Sequence, residues 1–361
     1  MRIAQVAPLW ERVPPQGYGG IELVVGHLTD ELVNRGYEVT LFASGDSETL
    51  AELKATVPRA LRLDPSIKEP AAYELLQLTQ VTDMANEFDL IHFHTGITPL
   101  PFVPMLKTSV VHTLHGCFTS DNHKIFDRYR DQPYISISNA QRRGAPQLNY
   151  LSTVYNGIRI EDYPFQEQPE NPPYLAFLGR MSPEKGPQHA IAIARAAGIP
   201  LKMGGKVDKV DRDFFEAEIV PHIDSKNIEY LGELDLSEKW QLFANASVTL
   251  FPITWSEPFG LVTIESMCTG TPVVAMNLGS VPEVIAHQET GWVCSSLEEM
   301  IAAVPKAMEL DRRKCREYVE QRFSIIKMVD DYEAAYKRAI QEKLSLNGKI
   351  SNSVLTNGVI S

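Results

Sequence analysis

Cysteine is scarce in this chain. Cys117, Cys268, Cys294 and Cys315 are scattered over 361 residues with no C-x-x-C pair. That excludes a disulfide scaffold and a paired-thiolate zinc site, leaving reduced thiols in a cytoplasmic protein as the plain reading. Long apolar runs are absent too. No stretch approaches the ~18 residues of a membrane span, and the start, Met1 to Leu9, leads into charged Trp10-Glu11-Arg12 instead of a signal-peptide core. Cytoplasmic location without a transmembrane segment is the expectation. Positive charge is in deficit, with 34 Lys and Arg against 46 Asp and Glu, a formal net charge of −12. A nucleic-acid binder needs the opposite balance, and no basic amphipathic helix announces an anionic membrane. A small phosphorylated ligand needs only one or two placed cations, so that class survives.

What is present is an alternation of short β-rich runs with helical patterns, at a length that favours two domains. Ile3–Ala7 reads as a strand. After a Gly-rich turn comes a helix whose apolar stripe is Ile21, Val24, Val25, Leu28 and Leu32. Further strands are expected at Glu38–Ala43, Leu90–His94, Val110–His115, Tyr134–Ser138 and Ser152–Tyr155. Pro164 to Pro173 carries four prolines and reads as a linker. Beyond it the pattern restarts, with strands at Tyr174–Leu178, Leu201–Gly204, Ile228–Leu231, Ser247–Phe251, Pro272–Ala275 and Gly291–Cys294. Repeated βα units imply parallel sheets covered by helices. The expected fold is therefore α/β, with two Rossmann-like domains facing a cleft. An amphipathic helix at about Ile325–Leu344 follows, and a polar tail, Ser345–Ser361, is expected to be mobile.

Three segments hold candidate ligand contacts. In Gln16-Gly17-Tyr18-Gly19-Gly20-Ile21-Glu22, glycines and a helix N-terminus suit close approach to a phosphate. Glu22 stands where a dinucleotide fingerprint needs its last glycine, and no G-K-[ST] occurs, so a plain βα turn remains the other reading. In Gly179-Arg180-Met181-Ser182-Pro183-Glu184-Lys185-Gly186, two cations follow a strand, where open α/β sheets place ligands. Arg as a planar fork and Lys as a point charge suit a diphosphate; isolated surface charges are the alternative. In Glu257-Pro258-Phe259-Gly260-Leu261-Val262-Thr263-Ile264-Glu265, two carboxylates lie eight steps apart, about 12 Å at helical rise. Each can accept from both hydroxyls of a vicinal diol, and free amides at Gly260 and Leu261 suit phosphates between them.

Histidines form a fourth group. His92 and His94 share one face of a strand, and His115 ends another before Gly116. Such rings ligate metals or exchange protons, and His115 is the best placed; His27, His112, His123, His189, His222 and His287 read as structural. Asp211-Arg212-Asp213 has the form of a metal-binding D-x-D but sits in a charge run that reads as solvated surface.

In their order, Gly19-Gly20-Ile21-Glu22, Thr113-Leu114-His115-Gly116, Ser136-Ile137-Ser138, Tyr155-Asn156-Gly157-Ile158, Gly179-Arg180 with Lys185-Gly186, Glu257 with Glu265, and Gly279-Ser280-Val281-Pro282-Glu283-Val284 resemble the GT-B glycosyltransferases of family 4, also called glycosyltransferase group 1. The resemblance runs from Arg2 to about Leu344. It implies a retaining transferase that moves a sugar from a nucleoside-diphosphate sugar (a UDP- or GDP-sugar) to an acceptor hydroxyl, with no required metal or other cofactor. It implies a first domain of residues 1–165 plus about 325–344 facing the acceptor, and a second of 174–324 holding the donor. Arg180 and Lys185 would grip the diphosphate, Glu257 the donor sugar and Glu265 the ribose, with Phe259, Gly260 and Leu261 beside them and Leu234 in the base-binding loop. His115 would lie by the donor sugar, Gly19 and Gly20 by the phosphates, and His94 and Asn156 on the acceptor side. The rival readings are a metal-dependent hydrolase built on His92, His94, His112 and His115 with Asp89, a GT-B sugar-nucleotide epimerase, and a silent binding protein. The base, the sugar, the acceptor and the oligomeric state are not legible. The N-terminal loops at about Ala51–Tyr73 and Gly116–Asp131 are expected to shape the acceptor side, and the acidic balance leans towards a soluble acceptor.

Overall fold

The computed structural model describes residues 1–356, with side chains through Ser345. Strands β1 (Arg2–Val6), β2 (Glu38–Ala43), β3 (Glu52–Ala55), β4 (Leu90–Phe93), β5 (Ser109–Leu114), β6 (Tyr134–Ser136) and β7 (Tyr150–Thr153) form one sheet in the order 3-2-1-4-5-6-7. All its pairings are parallel. Strands β8 (Leu175–Leu178), β9 (Leu201–Gly204), β10 (Ile228–Tyr230), β11 (Val248–Phe251), β12 (Val273–Met276) and β13 (Gly291–Cys294) form a second parallel sheet, ordered 10-9-8-11-12-13. Their near-continuous Val, Ile, Leu and Phe content is what strands buried on both faces require.

Helices cover both sheets: α1 (Gly20–Asn34), α2 (Pro70–Asp83), α3 (Ser120–Arg128) and α4 (Asn139–Arg142) in the first unit. In the second lie α5 (Pro187–Ala197), α6 (Arg212–Phe214), α7 (Leu236–Asn245), α8 (Leu261–Cys268), α9 (Val281–Val284), α10 (Leu297–Ala307) and α11 (Arg312–Arg322), before the terminal α12 (Ile325–Thr356). The sequence stripe on α1 is correct: Val24, Val25, Leu28 and Leu32 are fully buried.

Both sheets reverse direction at one point, between β1 and β4 and between β8 and β11. At such a reversal the loops leaving adjacent strands diverge, opening a crevice at the carboxyl ends. The two crevices face each other. The chain crosses between units twice, and the crossings touch: Ile158 donates its N–H to the Phe323 carbonyl, and Ile325 donates to that of Ile158. Gly157 is required there, because a Cβ would lie 2.6 Å from the Ser324 carbonyl oxygen. α12 then returns to the first sheet, where Met328, Val329, Tyr332 and Tyr336 pack with Ile3, Leu28 and Val111.

Several expectations need correction. The supposed loop 51–73 contains edge strand β3, whose exposed, charged ELKA sequence hides its strand character. The supposed loop 116–131 contains α3, started by a capping box between Thr119 and Asn122. The last helix runs past residue 344 to Thr356; the part of the expected mobile tail at 357–361 lies outside the described residues. Residues 164–173 carry neither helix nor strand. Among the described residues, no helix is long and apolar enough to cross a membrane.

Candidate functional site

A cleft of about 390 Å³ lies between the two units. Its floor is made by the loops leaving β8 and β11, and its opposite wall by the loop leaving β1. Gly19 and Gly20, His115, Asn156, Arg180, Lys185, Leu234, Glu257, Phe259, Gly260, Leu261 and Glu265 all line it. His94 does not. It is 2% exposed: as the residue directly after β4 it lies behind His115, bonded to that ring and to Gln5.

Around the N-terminus of α8 the charges are paired. Lys185 Nζ donates to Glu257 Oε2 at 2.6 Å, and Trp255 Nε1 donates to the same oxygen at 3.0 Å. The Lys185 ammonium also lies 4.7 Å from the centre of the Trp255 ring, a favourable cation–π distance. One turn into α8, Glu265 Oε1 accepts from Lys239 Nζ at 2.9 Å and from the Tyr163 hydroxyl at 3.2 Å. Arg180 bonds to Glu184 and lies 3.5 Å from carboxylate oxygens of Asp208 and Asp211. Burial opposes its charge, but Glu184 and its neighbours outweigh that and push its pKa up. Asp211 is therefore no solvated surface residue; it is 9% exposed and turned to Arg180.

The Glu257 loop is held from below. Gly279 adopts φ 60°, and a Cβ on it would stand 2.2 Å from the Glu257 carbonyl oxygen, so this position admits glycine alone. Ser280 then donates its N–H to that carbonyl at 3.0 Å. The neighbouring Glu283 reaches across to the first unit and accepts from the N–H groups of Asn139 and Ala140 at 2.8 and 2.6 Å, and from the Tyr155 hydroxyl at 2.9 Å.

On the opposite wall, Tyr18 lies under Lys206, whose ammonium is 3.8 Å from the ring centre. Glu22 is 5% exposed, and burial raises its carboxyl to about 7. His115 stands against His94 with Nε2 2.9 Å from His94 Nδ1, and burial lowers its pKa to about 4.

The histidines do not form a metal centre. Both ring nitrogens of His92 bond to hydroxyls of Tyr336 and Thr113, and both of His94 bond to His115 and Gln5. His112 stacks on Phe93 with both nitrogens unpartnered, and Asp89 is tied to Arg2. The hydrolase reading fails on this geometry: His92 and His94 are engaged at both nitrogens, and among the described residues no three His, Cys, Asp or Glu side chains converge to hold a metal ion. Sequence reasoning missed Lys239, Trp255 and Glu184 as partners. Trp255, two residues before Glu257, carried a local signal; Lys239 carried none, because its partner is distant in sequence.

Two Rossmann-like units with their strand ends opposed across a charged cleft define the GT-B class of glycosyltransferase. Residues 159–322 match the family Glycosyl transferases group 1, and residues 18–161 match Glycosyltransferase Family 4. The chain is 31% identical to the N-acetyl-alpha-D-glucosaminyl L-malate synthase of Bacillus anthracis, covering 92% of this chain and 97% of that one. Among solved structures it is similar to sucrose-phosphate synthase from Thermosynechococcus elongatus, at TM-score 0.78 and 18% identity over 95% of this chain and 100% of that one. It is also similar to Anabaena HepE in complex with UDP and glucose, at TM-score 0.72 and 17% identity over 94% and 100%. The chain belongs to the group 1 glycosyltransferases, and it is a transferase enzyme.

Proposed function

We propose that the protein transfers a sugar, with retention of anomeric configuration, from a nucleoside-diphosphate sugar to an acceptor hydroxyl. The observation that carries this reading is the grouping of Arg180, Lys185, Glu257 and Glu265 around the N-terminus of α8, directly across the cleft from Gly19 and Gly20. The diphosphate lies against Arg180, Lys185 and the free amides at the start of α8, where a helix end carries partial positive charge. Glu265 takes the ribose hydroxyls, Leu234 lies by the base, and Glu257 takes hydroxyls of the donor sugar. Both present bonds to Glu257 go to Oε2, which leaves Oε1 to accept. His115 stands beside the sugar. The acceptor enters from the first unit, past Asn156.

In the free protein the Glu257 and Glu184 carboxylates occupy the cations that the diphosphate would use. Binding therefore exchanges one anion for another on Lys185 and Arg180, and the donor sugar's hydroxyls donate to Glu257 in place of the contact it gives up. As the anomeric C–O bond breaks, negative charge grows on the leaving phosphate oxygen and positive charge on the sugar. Fixed cations and helix amides stabilise the former in place. The acceptor oxygen bonds to the anomeric carbon on the face being vacated, and its proton passes to the departing phosphate oxygen. The sequence supplies no clear second carboxylate to pair with Glu257 as in a retaining glycosidase, which favours front-face attack without a covalent intermediate.

Lys185→Ala tests the assignment. Transfer should fall about 10²- to 10³-fold, the usual cost of losing one transition-state electrostatic contact, in a protein that still folds; unchanged activity would remove Lys185 from the diphosphate. Thermal stabilisation across UDP-, GDP- and ADP-sugars identifies the donor, because a ligand that binds the folded state alone raises its melting temperature.

A further inference from the structure

Behind His115 runs a continuous chain of side-chain hydrogen bonds joining three strands and the terminal helix. Gln5, next to the C-terminal end of β1 and fully buried, bridges its two arms. Its Oε1 lies 2.9 Å from His94 Nε2, and its Nε2 lies 3.0 Å from the Tyr336 hydroxyl. One arm continues from His94 Nδ1 to His115 Nε2 at 2.9 Å. The other runs from Tyr336 to His92 Nδ1 at 2.8 Å, from His92 Nε2 to Thr113 Oγ1 at 2.7 Å, and from Thr113 to the Tyr332 hydroxyl at 3.2 Å.

The direction of the bonds from Gln5 to His115 follows from elementary valence. Burial keeps the three imidazoles neutral: it lowers His92 and His94 well below the ordinary range, and His115 to about 4. A neutral imidazole carries one N–H and one lone-pair nitrogen, and a carboxamide oxygen only accepts. His94 Nε2 must then hold the hydrogen it gives to Gln5 Oε1, so His94 Nδ1 is a lone pair. His115 Nε2 must donate to it. His115 Nδ1, the ring nitrogen without a partner among the described residues, is left as a lone pair on a side chain that lines the cleft. Turning the Gln5 amide by half a turn would reverse both bonds of this arm and give His115 Nδ1 a hydrogen instead.

We infer that Gln5 is a positioning residue for the transfer reaction: its carboxamide orientation, held by Tyr336 of α12, selects the Nε2–H tautomer of His115 and presents a hydrogen-bond acceptor to the donor sugar. The sugar's hydroxyls donate to that lone pair. As positive charge grows on the ring, a nitrogen lone pair is also the better neighbour than an N–H, whose dipole would oppose it. The kinetic half of this inference rests on the placement of His115 beside the donor sugar; the tautomer half does not.

Histidine-selective 15N labelling with long-range 1H–15N spectra separates the two, because a pyrrole-like nitrogen and a pyridine-like nitrogen resonate apart. In the ligand-free protein His115 should show pyrrole-like Nε2 and pyridine-like Nδ1. Gln5→Leu removes the acceptor for His94, and Tyr336→Phe frees the amide to turn; each should give mixed His115 tautomers. In each, kcat should fall about tenfold, the worth of one hydrogen bond, while UDP, GDP and ADP titrated separately bind as they do to the parent protein. Tyr336→Phe keeps the ring that packs in the core, so it serves if Gln5→Leu fails to fold. A native Nδ1–H tautomer, or a native tautomer persisting in both variants, overturns the inference. If Lys185→Ala stays fully active while the native spectra are as described, the donor reading falls and the polarity of the chain stands.

Discussion

Lys185 and Glu257 illustrate how a single residue serves two states. The ammonium is held 2.6 Å from a carboxylate that is 8% exposed, so neither charge is left alone when the cleft is empty. Glu265 and Lys239 are a deeper pair, with side chains 3% and 11% exposed. Glu265→Gln leaves the Lys239 ammonium buried without its counter-charge, and removing one partner of a buried pair costs roughly 3 kcal/mol. Urea unfolding should show that loss, and Lys239→Met in the same chain should recover much of it. A Glu265→Gln protein as stable as the parent would mean that the pair is solvated. The acidic and basic residues of this site were legible from their position after strands. Their partners were not, because the contact between residues 239 and 265 depends on how α7 packs on α8.

At the scale of elements, the second unit completes the first. α4 is only four residues long, and its exposed amides at Asn139 and Ala140 are satisfied by Glu283, which the other unit supplies. A carboxylate at a helix N-terminus is favoured by both hydrogen bonding and the backbone dipole. Glu283→Ala should therefore make amide hydrogen exchange at residues 139 and 140 at least about tenfold faster, given that a hydrogen bond to a charged acceptor contributes about 1.5–3 kcal/mol. Unchanged protection there would show that Ser138, which caps Gln141, suffices alone. The segment from Gly279 to Glu283 was recognisable as a motif. That its glycine supports Glu257 while its glutamate ties the two units together required the folded chain.

For the whole molecule, buried histidines set the response to acid. His27 and His115 are lowered to about 4 and His112 to about 3 by burial, with His92 and His94 lower still than ordinary imidazoles. Each binds a proton more readily when unfolded, near pH 6.5, so the stability it contributes is complete above that value and is lost as pH falls through the folded value. The loss is up to roughly 1.4 kcal/mol per pH unit for each ring. Glu22 acts oppositely: its folded value of about 7 lies above the ordinary carboxyl range, so its contribution is complete below pH 4.5 and is lost as pH rises through 7. Five rings outweigh one carboxyl. The melting temperature should fall steeply from pH 6.5 to pH 4.5, and a flat profile over that interval would show that the rings are solvated.

The order of strands and helices, the linker at 164–173 and the cations after β8 followed from the sequence itself, because hydrophobic periodicity, proline geometry and the βα rhythm are local properties of the chain. So did the family, carried by short segments in a fixed order. Edge strand β3 escaped because its run of four residues, Glu-Leu-Lys-Ala, is short and holds no β-branched or aromatic residue, and His94 lies behind the cleft because a strand position does not say which side a cleft will open on. The pairing of Lys185 with Glu257, the burial of Asp211 and the hydrogen-bond chain linking His115 to Tyr336 belong to the tertiary structure. Each joins groups far apart in sequence, and a charge or an imidazole acquires its state from what is packed around it.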